Sequence, residues 1–414
     1  MNLEEAKLRI AMLSVHSSPL GRLGTNDNGG MSVYVREIAR ELGERGHSVD
    51  IFTRLQDREA NQILNLDENV RLIHLRAGNK GYMSKLEVHP FLPDLFYELE
   101  RFRGVEMLHY DLVHSHYWLS GRVGEYAQKG WRVPHIVTFH TLGAVKNDTD
   151  GVEREPELRI VTERELVKTC HGITAATERE KEQLIHYYHA APGSIRMVPC
   201  GVNRGLFRPS DKFLSRQRLG FDQEESLLLC VGRFAPSKGT DRLLEAMTYL
   251  REDGPFRLLI IGGDDFQTPE ARRLRQLVQE SELQKSVTFV GRIEHEKLAT
   301  YYSAADALVV PSRYESFSLV ALESLACGTP VVATRVGAME SIVKEGETGY
   351  LLNNGSAPLL AKGIKSFLSR SHAFSTAEIS ASVAGFGWAD VASTLIAEYK
   401  GLLQHGHDAS RKFQ

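Results

Sequence analysis

The sequence predicts an α/β protein built from two doubly wound, Rossmann-like domains that face each other across a cleft. Three observations lead there. A chain of 414 residues suits two or three domains. Short aliphatic or β-branched runs alternate with longer amphipathic stretches, the pattern of parallel strands and crossover helices. That alternation restarts after a polar, basic stretch in mid-chain.

In the first half, strands are expected over residues 8–13, 48–52, 70–75, 112–114, 135–139, 172–175 and 195–198. A helix is expected over 31–45, where Val35, Ile38, Ala39 and Leu42 repeat at helical spacing with charges opposite. The stretch from 199–203 to Gly220 breaks the pattern, and strands resume at 227–231, 257–261, 287–290, 307–310 and 331–334, with helices over 241–250 and 270–280 between them. The expected division is therefore an N-terminal domain, 1–202, and a C-terminal domain, 203–388. A last helix is expected over about 389–404, and the polar tail after Gln404 is expected to fray.

Composition excludes several classes. Fifty Lys+Arg against 53 Asp+Glu leave a net charge of -3, so no global positive field collects nucleic acid or anionic lipid. Cys170, Cys200, Cys230 and Cys327 form no C-x-x-C pair, which argues against a zinc site or a disulfide framework. The apolar run 8–15 carries Arg9 and ends in His16 and two serines, unlike a signal peptide. No run approaches the roughly 20 apolar residues of a membrane span. A cytoplasmic location is expected.

Loops at the carboxyl ends of parallel strands face the cleft of such a fold. Segment 24–31 joins the first strand to the first long helix, and its Gly29-Gly30 pair either lets backbone N–H groups approach an anion or is a flexible turn. It lacks the G-x-G-x-x-G pattern. Segment 231–239 carries Arg233 and Lys238, which either neutralise a diphosphate or form a solvated basic turn; Gly232 and Gly239 beside them favour close approach of a ligand. Segment 311–323 leaves a strand and enters a helix whose first N–H groups, around Ser316, Phe317, Ser318 and Leu319, suit a phosphate. Glu315 precedes that helix and Glu323 lies within it, roughly 12 Å apart if the whole spacing were helical. They either hold two parts of one elongated ligand or are two carboxylates on a helix face. His140 ends a strand and is followed by Thr141 and Lys146. His114 and His116 lack a third metal ligand, and the Asp148-Thr149-Asp150 triplet reads as a solvated loop. Neither a G-x-S-x-G elbow nor a G-x-x-x-x-G-K-[ST] loop is present.

Together these residues resemble, over nearly the whole chain, the retaining nucleotide-sugar glycosyltransferases of GT-B type, whose E-x7-E signature is matched by Glu315 and Glu323. Segments 29–35, 114–121 and 140–146 look most like the mycothiol-pathway inositol-phosphate glycosyltransferases, with sucrose-phosphate synthases as near relatives. The resemblance implies that the last helix crosses back to complete the first domain, with UDP-sugar as co-substrate and no metal or other cofactor. It assigns the UDP diphosphate to Arg233 and Lys238, the ribose to Glu323 and the uracil to the backbone near Arg292. Glu315 and the Ser316–Leu319 backbone would hold the donor sugar and its phosphates, His140 would contact the sugar, and the Gly29-Gly30 loop would close over the reacting centre. An acceptor phosphate would fall to Lys85, Tyr117, Thr141 and Arg159, two cations and two hydroxyls suited to a phosphomonoester.

Three positions depart from the pattern: Ser318 stands where the family usually has Gly, Ala338 replaces a common second Gly after Gly337, and Met31 stands where sucrose-phosphate synthases typically have Gln. The leading expectation is transfer of a glucose-type sugar, glucose or N-acetylglucosamine, from UDP to a small phosphorylated polyol such as inositol phosphate. The alternatives are fructose 6-phosphate as acceptor, a UDP-sugar epimerase and a non-catalytic UDP-sugar binder. A phosphatidylinositol acceptor is disfavoured because residues 80–103 mix acids with bases. A homo-oligomer is compatible with the sequence.

Overall fold

The computed structural model describes residues 6–24, 27–57, 60–151, 153–251, 256–263, 268–370 and 374–411. Thr25 and Asn26 of the glycine-containing loop lie outside them.

The first sheet contains β1 (Arg9–Leu13), β2 (Ser48–Arg54), β3 (Ile63–Asp67), β4 (Val70–Leu75), β5 (Leu112–His116), β6 (His135–Thr138), β7 (Gly172–Ala175) and β8 (Ile195–Met197). Their order is β3-β4-β2-β1-β5-β6-β7-β8, parallel except for β3, which runs antiparallel to β4. The second sheet contains β9 (Ser226–Val231), β10 (Phe256–Ile261), β11 (Val287–Gly291), β12 (Ala307–Val310), β13 (Val331–Thr334) and β14 (Gly349–Leu352), in the order β11-β10-β9-β12-β13-β14. The order reverses between β1 and β5 in one sheet and between β9 and β12 in the other. In such sheets the crevice for ligands opens at the carboxyl ends of the strands at these switch points.

Sequence patterning missed β3 and β14. Strand β3 is a part-buried edge strand of five residues in which only Leu64 and Leu66 pack against the core, an alternation too short to stand out. Strand β14 is four residues long and begins at Gly349, where a Cβ would come within 1.9 Å of the Val331 carbonyl oxygen. Close strand approach, rather than β-propensity, selects that residue.

Helix Gly30–Glu44 buries Tyr34, Val35, Ile38, Ala39 and Leu42, the stripe the periodicity marks. The final helix spans Trp388–Arg411, past Gln404, where the sequence pattern ends it. No proline interrupts it, and its two interior glycines, Gly401 and Gly406, cost only about 1 kcal/mol each. Three contacts tie it to the first sheet and its helix: the Tyr399 hydroxyl lies 2.6 Å from His114 Nδ1, Arg196 pairs with Glu398 at 2.9 Å, and Arg45 Nη2 donates to the Ala389 carbonyl at 2.9 Å. Trp388 meets Tyr34 edge-on at 5.5 Å. One apolar cluster consequently runs from β1 and helix Gly30–Glu44 through Phe207 and Tyr302 to Trp388 and Tyr399.

Candidate functional site

On the second sheet, the site is built by the loops after β9, β11 and β12. Arg233 follows β9, and Lys238 ends a 3-10 turn, Pro236–Lys238. Lys238 Nζ lies 2.7 Å from Glu315 Oε1, which also accepts from the Ser312 hydroxyl at 2.7 Å. Arg313 locks this loop to its neighbour: its backbone N donates to the Ser237 carbonyl, and its guanidinium grips both Asp241 oxygens at 2.8 Å. Gly239 has φ +66, and a Cβ there would meet the Pro311 carbonyl oxygen at 2.1 Å. Packing of two loops therefore accounts for a glycine at this position. The spacing between the two glutamates is not wholly helical, because the helix starts only at Leu319.

The two family departures in this domain, Ser318 after β12 and Ala338 after β13, have opposite consequences. Ala338 adopts φ -85 and is fully buried, an ordinary alanine environment. Ser318 adopts φ +90 and ψ 83, so this position does call for glycine. As the residue preceding helix Leu319–Ala326 it makes no capping bond, and its buried hydroxyl has no partner among the described residues. Ser318→Gly is expected to stabilise the protein by roughly 1 kcal/mol, the left-handed penalty less glycine's added chain entropy. A urea titration checks this, and a loss of stability would show that the hydroxyl holds the turn.

Glu323 is 4% exposed and receives His295 Nε2–H at 2.7 Å and the Tyr302 hydroxyl at 2.9 Å. Although burial opposes its charge, the adjacent Glu323 carboxylate raises the His295 pKa above the ordinary histidine value.

The first domain reaches over this surface. A Cβ at Gly29 would lie 3.8 Å from Arg233 Nε, one at Gly30 3.6 Å from Leu319 Cδ1, and one at Gly24 3.6 Å from Arg292 Cδ. The glycine loop thus rests on the basic residues and helix start of the opposite domain. Just beyond it, His140 meets Tyr34 of helix Gly30–Glu44 edge-on at 5.2 Å, and its Nε2 is hydrogen bonded to His116 Nδ1 at 3.0 Å. Burial pushes the His140 pKa down to about 3, so the ring is a neutral hydrogen-bonding group.

A polar cluster adjoins His140. The Arg159 guanidinium donates to the Thr141 carbonyl at 2.6 Å and its hydroxyl at 2.9 Å, and lies 4.7 Å from the Tyr117 ring centre. It also pairs with Glu163 at 2.7 Å and Glu155 at 2.9 Å. Arg159 is 1% exposed, so it supports Thr141 from behind. Lys146 pairs with Glu155, and Lys85 with Asp27 at 2.6 Å. His16, tilted against the Tyr117 ring at 4.5 Å, is held well below the usual histidine value by burial and then by the charges of Lys85 and Arg159.

Non-glycine residues rarely have positive φ, yet among the eight described ones that do are Tyr117, the first residue of helix Tyr117–Trp131, and His140 and Ser318, in loops after strands, at +77, +60 and +90. Strained backbone of this kind concentrates at functional sites.

Sequence reasoning missed His16, Glu155, Glu163, His295 and Tyr302, and weighed His116 only as a metal ligand. His16 follows β1 and obeys the same strand-end rule that singled out His140, so that signal was present. His295 had none, lying 28 positions from its partner.

Two family models match the chain: Glycosyltransferase Family 4 over residues 28–205 and Glycosyl transferases group 1 over residues 211–378. A D-inositol 3-phosphate glycosyltransferase of Geodermatophilus obscurus is 38% identical over 413 residues, covering 98% of this chain and 92% of that one. One of Acidothermus cellulolyticus is 40% identical over 354 residues, covering 83% and 79%. Among solved structures, the sucrose-phosphate synthase of Thermosynechococcus elongatus superposes with a TM-score of 0.89 at 33% identity, covering 96% of this chain and all of that one.

Proposed function

The chain belongs to the family of the D-inositol 3-phosphate glycosyltransferases, GT-B enzymes of two facing α/β domains, and from that premise we propose that it moves a glucose-type sugar from UDP to a small phosphorylated acceptor, inositol phosphate foremost. The carrying observation is the apposition of Arg233 and Leu319 to the Gly29-Gly30 loop, which brings a basic, helix-tipped surface against the domain bearing His140.

In this reading the diphosphate lies across Arg233, Lys238 and the first N–H groups of helix Leu319–Ala326. Bond cleavage puts oxocarbenium character on the sugar and negative charge on the departing phosphate. Fixed cations and N–H dipoles aimed at that phosphate lower the barrier most where the charge grows, so the step needs no metal. Glu315, held by Lys238 and Ser312, presents its carboxylate to sugar hydroxyls, and neutral His140 hydrogen-bonds the sugar. Lys85, Tyr117 and Thr141, backed by Arg159, take the acceptor phosphate. Attack comes from the face the diphosphate leaves, with configuration retained and the leaving phosphate oxygen accepting the acceptor's proton. No protein base is required.

The sucrose-phosphate synthase neighbour supports a second reading, with fructose 6-phosphate as acceptor. Met31, where those enzymes typically have Gln, weighs against it. A matrix of UDP-glucose and UDP-N-acetylglucosamine against inositol phosphate and fructose 6-phosphate, read by mass spectrometry with and without EDTA, decides between them. The expected result is a glycosyl-inositol phosphate, formed equally well in chelator, with anomeric configuration retained by NMR. Exclusive sucrose phosphate would establish the second reading. Donor conversion without any acceptor would indicate an epimerase, and binding without turnover a sensor. No helix among the described residues is long and apolar enough to cross a membrane, and we place the reaction in the cytoplasm.

A further inference from the structure

His295 lies outside every role assigned above, yet it occupies a decisive place beside Glu323. It sits on the 3-10 turn His295–Lys297, three residues beyond Arg292 on the loop after β11. Its Nε2–H reaches Glu323 Oε1 at 2.7 Å, and the Tyr302 hydroxyl takes Oε2 at 2.9 Å. The two donors differ in setting. Tyr302 is fully buried behind the carboxylate, whereas a fifth of the His295 side chain is exposed, at 20%. Phe207 packs on both rings, at 5.1 Å from His295 and 6.0 Å from Tyr302, and so fixes their planes.

A carboxylate has about four lone-pair sites, of which these donors use two. The remaining pair, one on each oxygen, suits two adjacent hydroxyls donating side by side. Without His295 the carboxylate would keep only Tyr302 and could rotate away from that geometry. Because Arg292 and His295 share one loop, the segment proposed to meet the base also sets the carboxylate proposed to meet the ribose.

We propose that His295 is a positioning residue for nucleotide recognition: it holds Glu323 with one free lone pair on each oxygen directed at the ribose hydroxyls, so that selection of a ribonucleotide over its deoxy counterpart runs through the His295–Glu323 pair. This rests on the UDP site proposed above.

The test measures Kd for UDP and 2′-deoxy-UDP by calorimetry on the full chain, with thermal melts in parallel. Wild type should prefer UDP, and Glu323→Ala should abolish the preference. His295→Ala should weaken UDP roughly tenfold, the effect of losing a hydrogen bond to a charged group, and should weaken 2′-deoxy-UDP, which keeps only the 3′-hydroxyl, clearly less. His295→Gln, which keeps a neutral N–H donor, should restore most of the preference. An undiminished preference in His295→Ala, or equal weakening of both nucleotides, overturns the proposal. If Glu323→Ala itself keeps the preference, the ribose assignment of Glu323 fails first and the role of His295 falls with it; if it loses the preference while His295→Ala does not, only the role of His295 fails.

Discussion

Lys238→Ala is expected to lower kcat by roughly 10²–10³-fold, the cost of removing one preorganised group that stabilises charge in a transition state. Lys238 is the cation paired with Glu315, whose side chain is only 8% exposed. In the variant the departing diphosphate loses a positive charge and faces a carboxylate held by Ser312 alone. Attraction and repulsion both change in the unfavourable direction, and the effect grows as the glycosidic bond breaks. The loss should therefore fall on kcat more than on donor KM. Lys238→Arg should retain more activity than the alanine variant, since it keeps the charge but not the compact ammonium geometry. Steady-state kinetics alongside a thermal melt checks this; a fall of less than tenfold, with the fold intact, would remove Lys238 from the chemistry.

Arg159→Ala should have the largest effect on stability, about 3–5 kcal/mol, the usual cost of breaking a buried ion pair by removing one partner. Arg159 is enclosed by Glu155 and Glu163, and Glu163 is wholly buried. The Gly143 amide and Tyr188 hydroxyl would still donate to Glu163, but no cation would face it at close range. Thr141 would lose both bonds that hold it, so acceptor KM should rise in whatever protein remains folded. The pH dependence has a definite sign. Burial works against the charge of Glu155, but the Arg159 and Lys146 charges outweigh it and hold its pKa below the carboxylate value of 4.5. That group contributes stability above pH 4.5 and loses it as pH falls through its depressed folded value. Removing Arg159 forfeits much of that contribution, so the gap between wild type and variant should narrow as pH drops below about 4.5. Urea titrations at pH 7 and pH 4 measure it, and a constant gap would mean that Arg159 stabilises by packing alone.

Much of this protein could be read along the chain. Alternation of aliphatic runs with amphipathic stretches fixed the α/β class, because burial within a strand or helix is a local periodic property. Strand-end position alone picked out the glycine loop, His140, Arg233, Lys238 and the Glu315–Glu323 segment, since winding a parallel sheet forces such ends to one edge. The tertiary structure decided what each of them touches. Lys238 meets Glu315 across 77 residues and His295 meets Glu323 across 28, while Gly29 reaches Arg233 in the other domain. It also separated two departures that look alike in sequence, an ordinary backbone at Ala338 and a left-handed one at Ser318. Such pairings and dihedral angles follow from where the crossovers deliver each loop, and residues far apart in the chain leave no periodic trace of the neighbours they will acquire.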